Sequence, residues 1–363
     1  MFTKFKTFTL NVIAGANVGV ILLMLLIGFS GHVDPTRHSI IATMGLSFPL
    51  PLFLNFAFLV FWCIVRLRYA LIPIIGFLVG FVPVRTYFPL NAPFSPPDDA
   101  IKVISYNVES FGASALAGDT THRDINPIVE YLRDSHADII CLQEAVPHST
   151  IADSVLKKIY PYTSFKQRTD KGSDLLAVYS QYPIRRTEQI NYSSEHNISF
   201  AYELDVKGRK VLLVNNHLES NRLVGEDRDQ FNNMIKGRTD YKNVKDDSRH
   251  LLSKLAAAGK IRAAQVDAVV RYISSHRGGK SVICVGDFNE QPISYSHIRF
   301  ADRLTDCYVA SGNGPGWSYN KSHMYVRIDN IFCSDDLHPY RCHIDRSIRT
   351  SDHYPIVCWL SWK

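Results

Sequence analysis

Residues 281–289 have the sequence SVICVGDFN, in which the apolar run VICV is followed directly by a glycine and a carboxylate. A short, continuous apolar run of this kind is typical of a strand that is covered on both faces of a sheet. Asp287 follows this run, and burying a carboxylate costs free energy unless it is paired or binds a metal. The stretch therefore predicts an inner strand that ends in functional side chains, Asp287 and Asn289.

Similar short apolar runs occur on both sides of this strand, from about residue 101 to the end of the chain. Further strands are predicted for IKVISYNV, ADIICLQE, DLLAVYS, SFAYELDV, KVLLVNNHL, IDNIF and the run that follows SDHYP. Helical spacing of apolar residues appears in INPIVEYLRDS and in VDAVVRYISSH. Strands that alternate with helices predict an α/β domain over residues 101–363.

Polar side chains that bind metals or transfer protons stand at the ends of these strands. They are Asn107, Glu144, His217, Asp287, Asn289, Asp329, Asp352 and His353. Asparagine and carboxylate oxygens are the ligands that a hard cation such as Mg²⁺ prefers, with Mn²⁺ as an alternative. The histidines fit proton transfer better than zinc binding, and the set suits the hydrolysis of a phosphate ester.

The first ninety residues form a separate and almost wholly apolar region. Apolar runs at about residues 9–29, 39–65 and 69–87 predict three transmembrane helices, because a spanning helix needs about 20 apolar residues. A cleaved signal peptide is the alternative for the first run, but no small-residue cleavage site follows it. Residues 91–100 contain several prolines and predict a stiff linker.

Basic residues near the apolar runs predict the orientation in the membrane. Lys4 and Lys6 precede the first run, and Arg66 and Arg68 lie between the second and the third. The positive-inside rule then places the N-terminus in the cytoplasm. Three crossings put the C-terminal domain on the extracytoplasmic side, which is the periplasmic side of the inner membrane in a bacterium.

Charge and cysteine content leave several alternatives open. The net charge of +6 suits an anionic substrate or membrane surface, and ordinary surface charge explains it equally well.

Residues 221–260 are dense in mixed charge and predict either a lid over a site or a solvated helical segment. The cysteines have no zinc-binding spacing and suit buried thiols, with a Cys307–Cys342 disulfide as the alternative in an oxidising compartment.

The motifs SYNV, LQE, YSQYPI, NNHLES, GDFN, RIDNIF and SDHYP follow one another in this order. With them the chain resembles the endonuclease/exonuclease/phosphatase superfamily over about residues 101–363. The resemblance implies a DNase I-like, four-layer α/β sandwich, in which two mixed and mostly antiparallel sheets lie between helices. It also implies Mg²⁺-dependent hydrolysis of a phosphate ester by in-line attack of water, without a covalent enzyme intermediate.

The resemblance further implies a role for each residue of the motifs. Glu144 matches the principal Mg²⁺ ligand of the family, Asn107 helps to hold the metal or the phosphate, and Asp352 approaches the metal. Asp287 and Asn289 orient the attacking water and bind the phosphate.

The histidines have implied roles as well. His353 contacts the phosphate and stabilises its developing charge, and Asp329 orients His353. His217 acts as an acid or as a phosphate ligand, and its presence disfavours the abasic-site repair branch. Some relatives pair this histidine with an earlier acidic residue, for which Asp170 and Asp174 are candidates.

Different function classes remain as hypotheses. The first is a phosphodiesterase or phosphatase that acts on a lipid head group, a nucleotide or another small phosphate ester near a membrane. The second is a DNase-type endonuclease, which predicts a basic, aromatic-lined groove. The third is a catalytically inactive membrane-bound scaffold, which the complete motif set disfavours. No obligate protein partner is expected.

Overall fold

The computed structural model of the protein describes residues 2–117, 125–146, 150–167, 175–194, 196–221, 223, 225–236, 238, 241–321 and 324–363. Residues from Ile101 onward form two six-stranded sheets that face each other. Helices cover the outer faces of both sheets, which confirms the predicted four-layer sandwich.

The first sheet has the strand order β11-β12-β1-β2-β4-β3 and the second has the order β5-β6-β7-β8-β10-β9. Within the sheets, β1 and β2 run parallel, as do β7 and β8, and the other pairs of these strands are antiparallel. The strands are β1 Ile101–Asn107, β2 Ile139–Gln143, β3 Tyr162–Gln167, β4 Leu175–Ser180, β5 Ile184–Gln189, β6 Ser199–Val206, β7 Arg209–His217, β8 Ser281–Asp287, β9 Thr305–Asp306, β10 Asp329–Cys333, β11 Leu337–Ile344 and β12 Ile356–Trp362.

The helices divide into an N-terminal group and a group that covers the sheets. The first group is α1 Phe2–Gly28, α2 Pro35–Thr43, α3 Pro49–Val65, α4 Leu71–Val79 and α5 Phe81–Tyr87. The second is α6 Glu109–Leu116, α7 Pro127–Asp134, α8 Thr150–Leu156, α9 Gly225–Ile235, α10 Tyr241–His276, α11 Tyr295–Ala301 and α12 Cys307–Ser311. The side chains of Val266 and Ile273 on α10 are buried against the second sheet, as the helical spacing predicts.

The N-terminal region contains one straight helical segment, residues 5–32, that is long and apolar enough to cross a membrane. Residues 35–47 and 49–65 form a pair bent by 42°, and residues 67–79 and 81–87 form a pair bent by 74°. By length and composition, the region therefore has one helix that could cross a membrane, or up to three if each bent pair is one span. The predicted single helices at 39–65 and 69–87 are both broken, the first at Pro49, which lacks a backbone N–H and begins α3.

Buried polar side chains connect the N-terminal helices to one another. The Asn17 amide donates to Asn55 Oδ1 over 3.2 Å, and Trp62 Nε1 donates to Asn17 Oδ1 over 3.2 Å. Asn55 Nδ2 in turn donates to the carbonyl oxygen of Pro73 on α4 over 3.2 Å. Small and polar residues that pair between apolar helices stabilise such bundles, so α1, α3 and α4 pack as one unit.

The C-terminal domain lies directly against this helical bundle. Ile293, just after the GDFN motif, packs into an apolar cluster with Met24, Ile27 and Phe48. A Cβ atom on Gly45 would overlap the carbonyl oxygen of Ile293, so only glycine permits this close approach. Helix α10 also packs along α2.

The segment predicted as a stiff linker is bonded to the domain at its start. Asn91 Nδ2 donates to the carbonyl oxygens of Gly312 and Val309, over 2.6 and 3.1 Å. Arg327 Nη2 donates to the carbonyl oxygen of Thr86, at the end of α5, over 2.7 Å. These contacts fix the end of the helical region on the domain before the proline-rich segment begins.

The described part of residues 221–260 forms α9 and the first half of α10. Asp227 holds the two helices together through Lys254 Nζ at 2.6 Å and His250 Nε2 at 3.2 Å. This arrangement matches the helical alternative, and closure over a site stays a prediction. All seven cysteines are free thiols, so the alternative of a Cys307–Cys342 disulfide is not formed. The buried Cys307 and Cys342 thiols both neighbour Cys358 instead.

Candidate active site

The sheet register brings the predicted strand-end residues to one edge of the sandwich. Asn107 pairs in register with Gln143, so Glu144 follows directly at the end of β2. In the second sheet Asp287 lies opposite both His217 on β7 and Asp329 on β10. Because the ends of parallel neighbours meet at the same edge, side chains far apart in sequence come together here.

The backbone around these residues adopts conformations that favour only a few residue types. Gly286 has φ +136°, and a Cβ atom there would overlap the carbonyl oxygen of Asn216 on the neighbouring strand. Glu144 and Asn289 have left-handed φ values of 53° and 51°. Non-glycine residues in this region cost free energy and often mark functional positions.

Asn107 connects two carboxylates at the bottom of the site. Its Nδ2 donates to Glu144 Oε1 over 3.1 Å and to Asp287 Oδ2 over 3.2 Å. Asp287 is 1% exposed and also accepts a hydrogen bond from the backbone N–H of Asn289 over 2.8 Å. His217 Nε2 lies 3.6 Å from Asp287 Oδ2 and 3.9 Å from Glu144 Oε1, so it faces both carboxylates.

His353 and Asp329 form a buried pair beside this cluster. His353 Nδ1 lies 2.8 Å from Asp329 Oδ2, and its Nε2 lies 3.7 Å from Asp287 Oδ2. Burial alone would lower the pKa of His353, but the Asp329 and Asp287 carboxylates outweigh it and raise this pKa to about 10. Burial raises the pKa of Asp287 to about 6, although His353 opposes the rise. The geometry therefore favours a protonated His353 that Asp329 orients.

Serine hydroxyls fix the backbone under these residues, and the sequence analysis does not identify them. Ser318 Oγ accepts from the backbone N–H groups of Ile328 and Asp329, each over 3.0 Å. Ser351 Oγ donates to the carbonyl oxygen of Asn107 over 2.7 Å. Ser351 is the first residue of SDHYP, which is a usable signal, whereas nothing around Ser318 distinguishes it from an ordinary loop serine.

Asp352 lines the same pocket but has a partner that the sequence does not indicate. Lys321 Nζ lies 3.2 Å from Asp352 Oδ2 and 2.8 Å from Glu109 Oε1. The structure therefore gives Asp352 an ion pair, and its approach to a metal stays a prediction. Asp170 and Asp174, the candidate partners of His217, lie outside the described residues.

The pocket above these residues has a cavity volume of about 120 Å³. Its lining includes the polar residues Glu144, His217, Ser220, Asn221, Asp287, Asn289, Asp352 and His353, and also Leu223, Tyr319, Met324, Val326 and Ile328. A larger cavity of about 560 Å³ lies elsewhere, beside α7 and the edge strand β11. That groove contains none of the strand-end residues, so its size does not make it the site.

The carboxylates of the site fit a divalent cation, whereas His353 is a metal ligand only in its neutral form. One ligand atom from each of Asp287, Asp329 and His353 lies within 4.8 Å of the others, and all three residues are buried. Asp329 Oδ1 is buried without a hydrogen-bond partner among the described residues, although carboxylate oxygens normally have one. Asp287 and His353 of this group line the same pocket as the predicted ligands Glu144 and Asp352, and the predicted ligand Asn107 donates a hydrogen bond to Glu144.

A two-sheet sandwich whose strand ends gather amides, carboxylates and histidines defines a hydrolase of phosphate esters. The chain belongs to the endonuclease/exonuclease/phosphatase family, whose sequence profile matches residues 104–353. Residues 10–87 match a separate domain of unknown function. No curated protein matches the chain.

Solved structures share the fold at low sequence identity. The human nocturnin catalytic domain with bound sulfate is 18% identical with a TM-score of 0.54, covering 73% of this chain and 94% of that chain. An endonuclease/exonuclease/phosphatase family protein from Bacteroides thetaiotaomicron is 18% identical with a TM-score of 0.51, covering 73% and 98%. A mannosyl-6-phosphatase from the same organism is 18% identical with a TM-score of 0.50, covering 72% and 100%.

Proposed function

We propose that the site hydrolyses a phosphate ester by direct attack of water with the help of a divalent cation. The preferred cation is Mg²⁺, and Mn²⁺ is the alternative. The observation that supports this function most directly is the His353–Asp329 pair at 2.8 Å, whose free ring nitrogen faces Asp287 at 3.7 Å. A charged donor, a buried carboxylate and an open pocket thus meet at one point.

Glu144 and Asp287 are the carboxylates that would hold the cation, and Asn107 links them by donating a hydrogen bond to each. When bound, a divalent cation neutralises the charge of the phosphate oxygens and favours attack by water. The protein's own side chains carry out the proton transfers.

Proton transfer follows from the geometry around Asp287. The oxygen of water forms the new P–O bond while the ester P–O bond breaks, and Asp287 accepts the proton of the water. His353 donates from Nε2 to a phosphate oxygen, and Asp329 keeps the ring in this orientation by accepting from Nδ1. His217, beside Asp287, supplies a proton to the leaving oxygen. Asn289 contacts the phosphate from the end of β8.

The lining favours a small or lipid phosphate ester over a nucleic acid. Among the described residues that line the pocket, none is Arg or Lys. A nuclease groove needs basic residues that neutralise the phosphate backbone. We therefore rank a phosphodiesterase or phosphatase above a DNase-type endonuclease.

We further propose that the protein is an integral protein of the bacterial inner membrane with its active site on the extracytoplasmic side. The apolar segment 5–32 and the basic residues Lys4 and Lys6 at its start support this placement. Cysteine modification on intact cells tests it, with a cysteine introduced at the exposed position Asp229 in a Cys63→Ser background. Labelling by a membrane-impermeant maleimide supports the orientation, and labelling only after permeabilisation contradicts it.

The activity is tested on the full-length chain in detergent with bis(4-nitrophenyl) phosphate and 4-nitrophenyl phosphate. We expect Mg²⁺-dependent release of nitrophenolate that EDTA abolishes. Glu144→Gln and His353→Gln should each lower kcat by about 10²–10⁴-fold. His338→Gln, at an exposed position on β11, is the matched control and should retain full activity.

If His353→Gln retains the rate of the parent, the proposed proton donor is wrong. If a folded parent hydrolyses neither ester and its melting temperature does not respond to Mg²⁺, the hypothesis of an inactive scaffold replaces the hypothesis of a hydrolase.

A further inference from the structure

The pocket is lined by both polar and apolar residues. Asp287 and His353 are among the polar residues, here called the polar half, and Leu223, Met324, Val326 and Ile328 are apolar residues, here called the apolar wall. A phosphate and its metal need only the polar half. The apolar wall is thus available for a hydrocarbon part of the substrate, because binding sites match apolar ligand surface with apolar lining.

An aromatic path connects this wall to the N-terminal helices. Tyr325, 49% exposed and next to the wall in sequence, lies 5.4 Å from Trp317 between ring centroids. Trp317 neighbours Tyr87 at the end of α5, and Tyr87 lies 5.6 Å from Phe48. Tyr and Trp concentrate where a protein crosses from hydrocarbon to water, and the exposed Tyr325 at one end of this path is a residue of the kind expected at that level.

The catalytic segments themselves are attached at that level. Ile293 packs among α1 and Phe48, and four residues span at most about 14 Å, so Asn289 lies within that distance of the helical bundle. Arg327 bonds to the end of α5 only two residues before Asp329. Phe81 and Val82 on the same short helix are exposed, as residues that contact lipid would be.

We propose that the substrate is an amphiphile of the same bilayer, a lipid whose phosphate ester enters the polar half while its hydrocarbon chain lies along the apolar wall. This inference rests on the proposed phosphoesterase function and specifies its substrate class. The head group is held at Asp287 and His353, and the chain leaves the pocket past Met324 and Val326 towards the aromatic path.

The first test compares two water-soluble esters with the same scissile bond, methyl and butyl 4-nitrophenyl phosphate, on the full-length chain with Mg²⁺. Each methylene buried on the wall is worth about fourfold in binding, so we expect kcat/KM to be at least tenfold higher for the butyl ester. Met324→Ser and Val326→Ser should lower this ratio towards one. Ile159→Ser, an exposed apolar position outside the pocket, should leave it unchanged.

The second test uses hexadecyl 4-nitrophenyl phosphate in phospholipid vesicles. We expect fast hydrolysis when enzyme and ester share a vesicle, and at least tenfold slower hydrolysis when they are in separate vesicles. A Mg²⁺-dependent rise in melting temperature of the serine variants confirms that they remain folded.

The outcomes distinguish failure of the lipid substrate from failure of the proposed phosphoesterase function. Equal kcat/KM for methyl and butyl esters, or equal rates from shared and separate vesicles, overturns the lipid substrate and leaves the phosphoesterase intact. A folded parent that hydrolyses none of the esters overturns the proposed function and the lipid substrate together. A butyl preference that survives Met324→Ser and Val326→Ser contradicts the assignment of the wall.

Discussion

Replacement of Asp287 by asparagine should stabilise the metal-free protein while abolishing its activity. The pKa of Asp287 is raised from its ordinary 3.8 to about 6, mainly because the carboxylate is buried. Each pH unit of such a difference corresponds to about 1.4 kcal/mol. The ionised carboxylate therefore costs the folded protein about 3 kcal/mol at neutral pH, a cost that the isosteric amide of Asp287→Asn does not have.

The sign of the pH dependence follows from the raised pKa. Between pH values of about 4 and 6 the folded protein keeps the proton of Asp287 while the unfolded chain has lost it, so this group makes the protein less stable as pH rises. Above about pH 6 the full cost is present. The stability difference between variant and parent should therefore grow from pH 4 to pH 6 and then level off.

The assay is thermal unfolding of the full-length chain in detergent with EDTA, followed by circular dichroism from pH 4 to pH 8. For a domain of this size about 3 kcal/mol corresponds to roughly 6–12 °C, so Asp287→Asn should melt higher by that amount at pH 7.5. Excess Mg²⁺ should reverse the order, because only the parent gains binding free energy. Asp229→Asn, at an exposed position on α9, is the control.

This prediction is wrong if Asp287→Asn melts at or below the parent in EDTA at pH 7.5. It also fails if the difference between the two proteins is the same at pH 4 and pH 7, since burial of the charge would then not be its cause.

Other substitutions test the scaffold around the site. Gly286→Ala places a Cβ atom on a neighbouring carbonyl oxygen and should destabilise the fold by more than about 3 kcal/mol, seen as loss of folded protein on gel filtration. Ser318→Ala leaves two buried N–H groups unpaired and should lower the free energy of unfolding, measured with denaturant, by about 1–3 kcal/mol. Because Asp329 loses its support, the substitution should also lower kcat more than it raises KM. An unchanged kcat would refute this role. Burial would raise the pKa of Asp306, but the hydrogen bond and charge of His297 at 2.6 Å outweigh it, so this pKa lies below its ordinary value. The stabilisation from the ionised carboxylate is lost as pH falls below about 4, so the melting temperature of Asp306→Asn should depend less on pH between 5 and 3 than that of the parent.

The sequence predicts the inner strands of both sheets and misses the outer ones. The strands that it misses are β3, β5, β9 and β11, and these are the edge strands of the two sheets. An inner strand such as β8 is buried along its whole length and is a continuous apolar run. An edge strand such as β5 is half-buried, with charged residues that also protect its free edge, so its sequence resembles a loop.

The site was predicted from strand ends, and this signal has a physical limit. Asp287 and Asn107 stand out because a polar side chain directly after an apolar run is unusual. The ion pair between Lys321 and Asp352 gave no such signal, since its partners lie on separate loops that only the folded chain brings together. The breaks in the apolar helices lie at Pro49 and Gly80, and the sequence alone does not show whether such a residue breaks an apolar helix or is accommodated within it.

Gly45 faces the Ile293 carbonyl, and Gly31 is crowded in the same way by the backbone of Ser294. Two surfaces that meet this closely leave no room for a side chain at either glycine. A graft of this domain onto a foreign anchor would therefore have to transplant both glycines with it. For the same reason, a fragment that starts after residue 90 would present the apolar Ile293 side chain to water and would aggregate more readily than the intact chain.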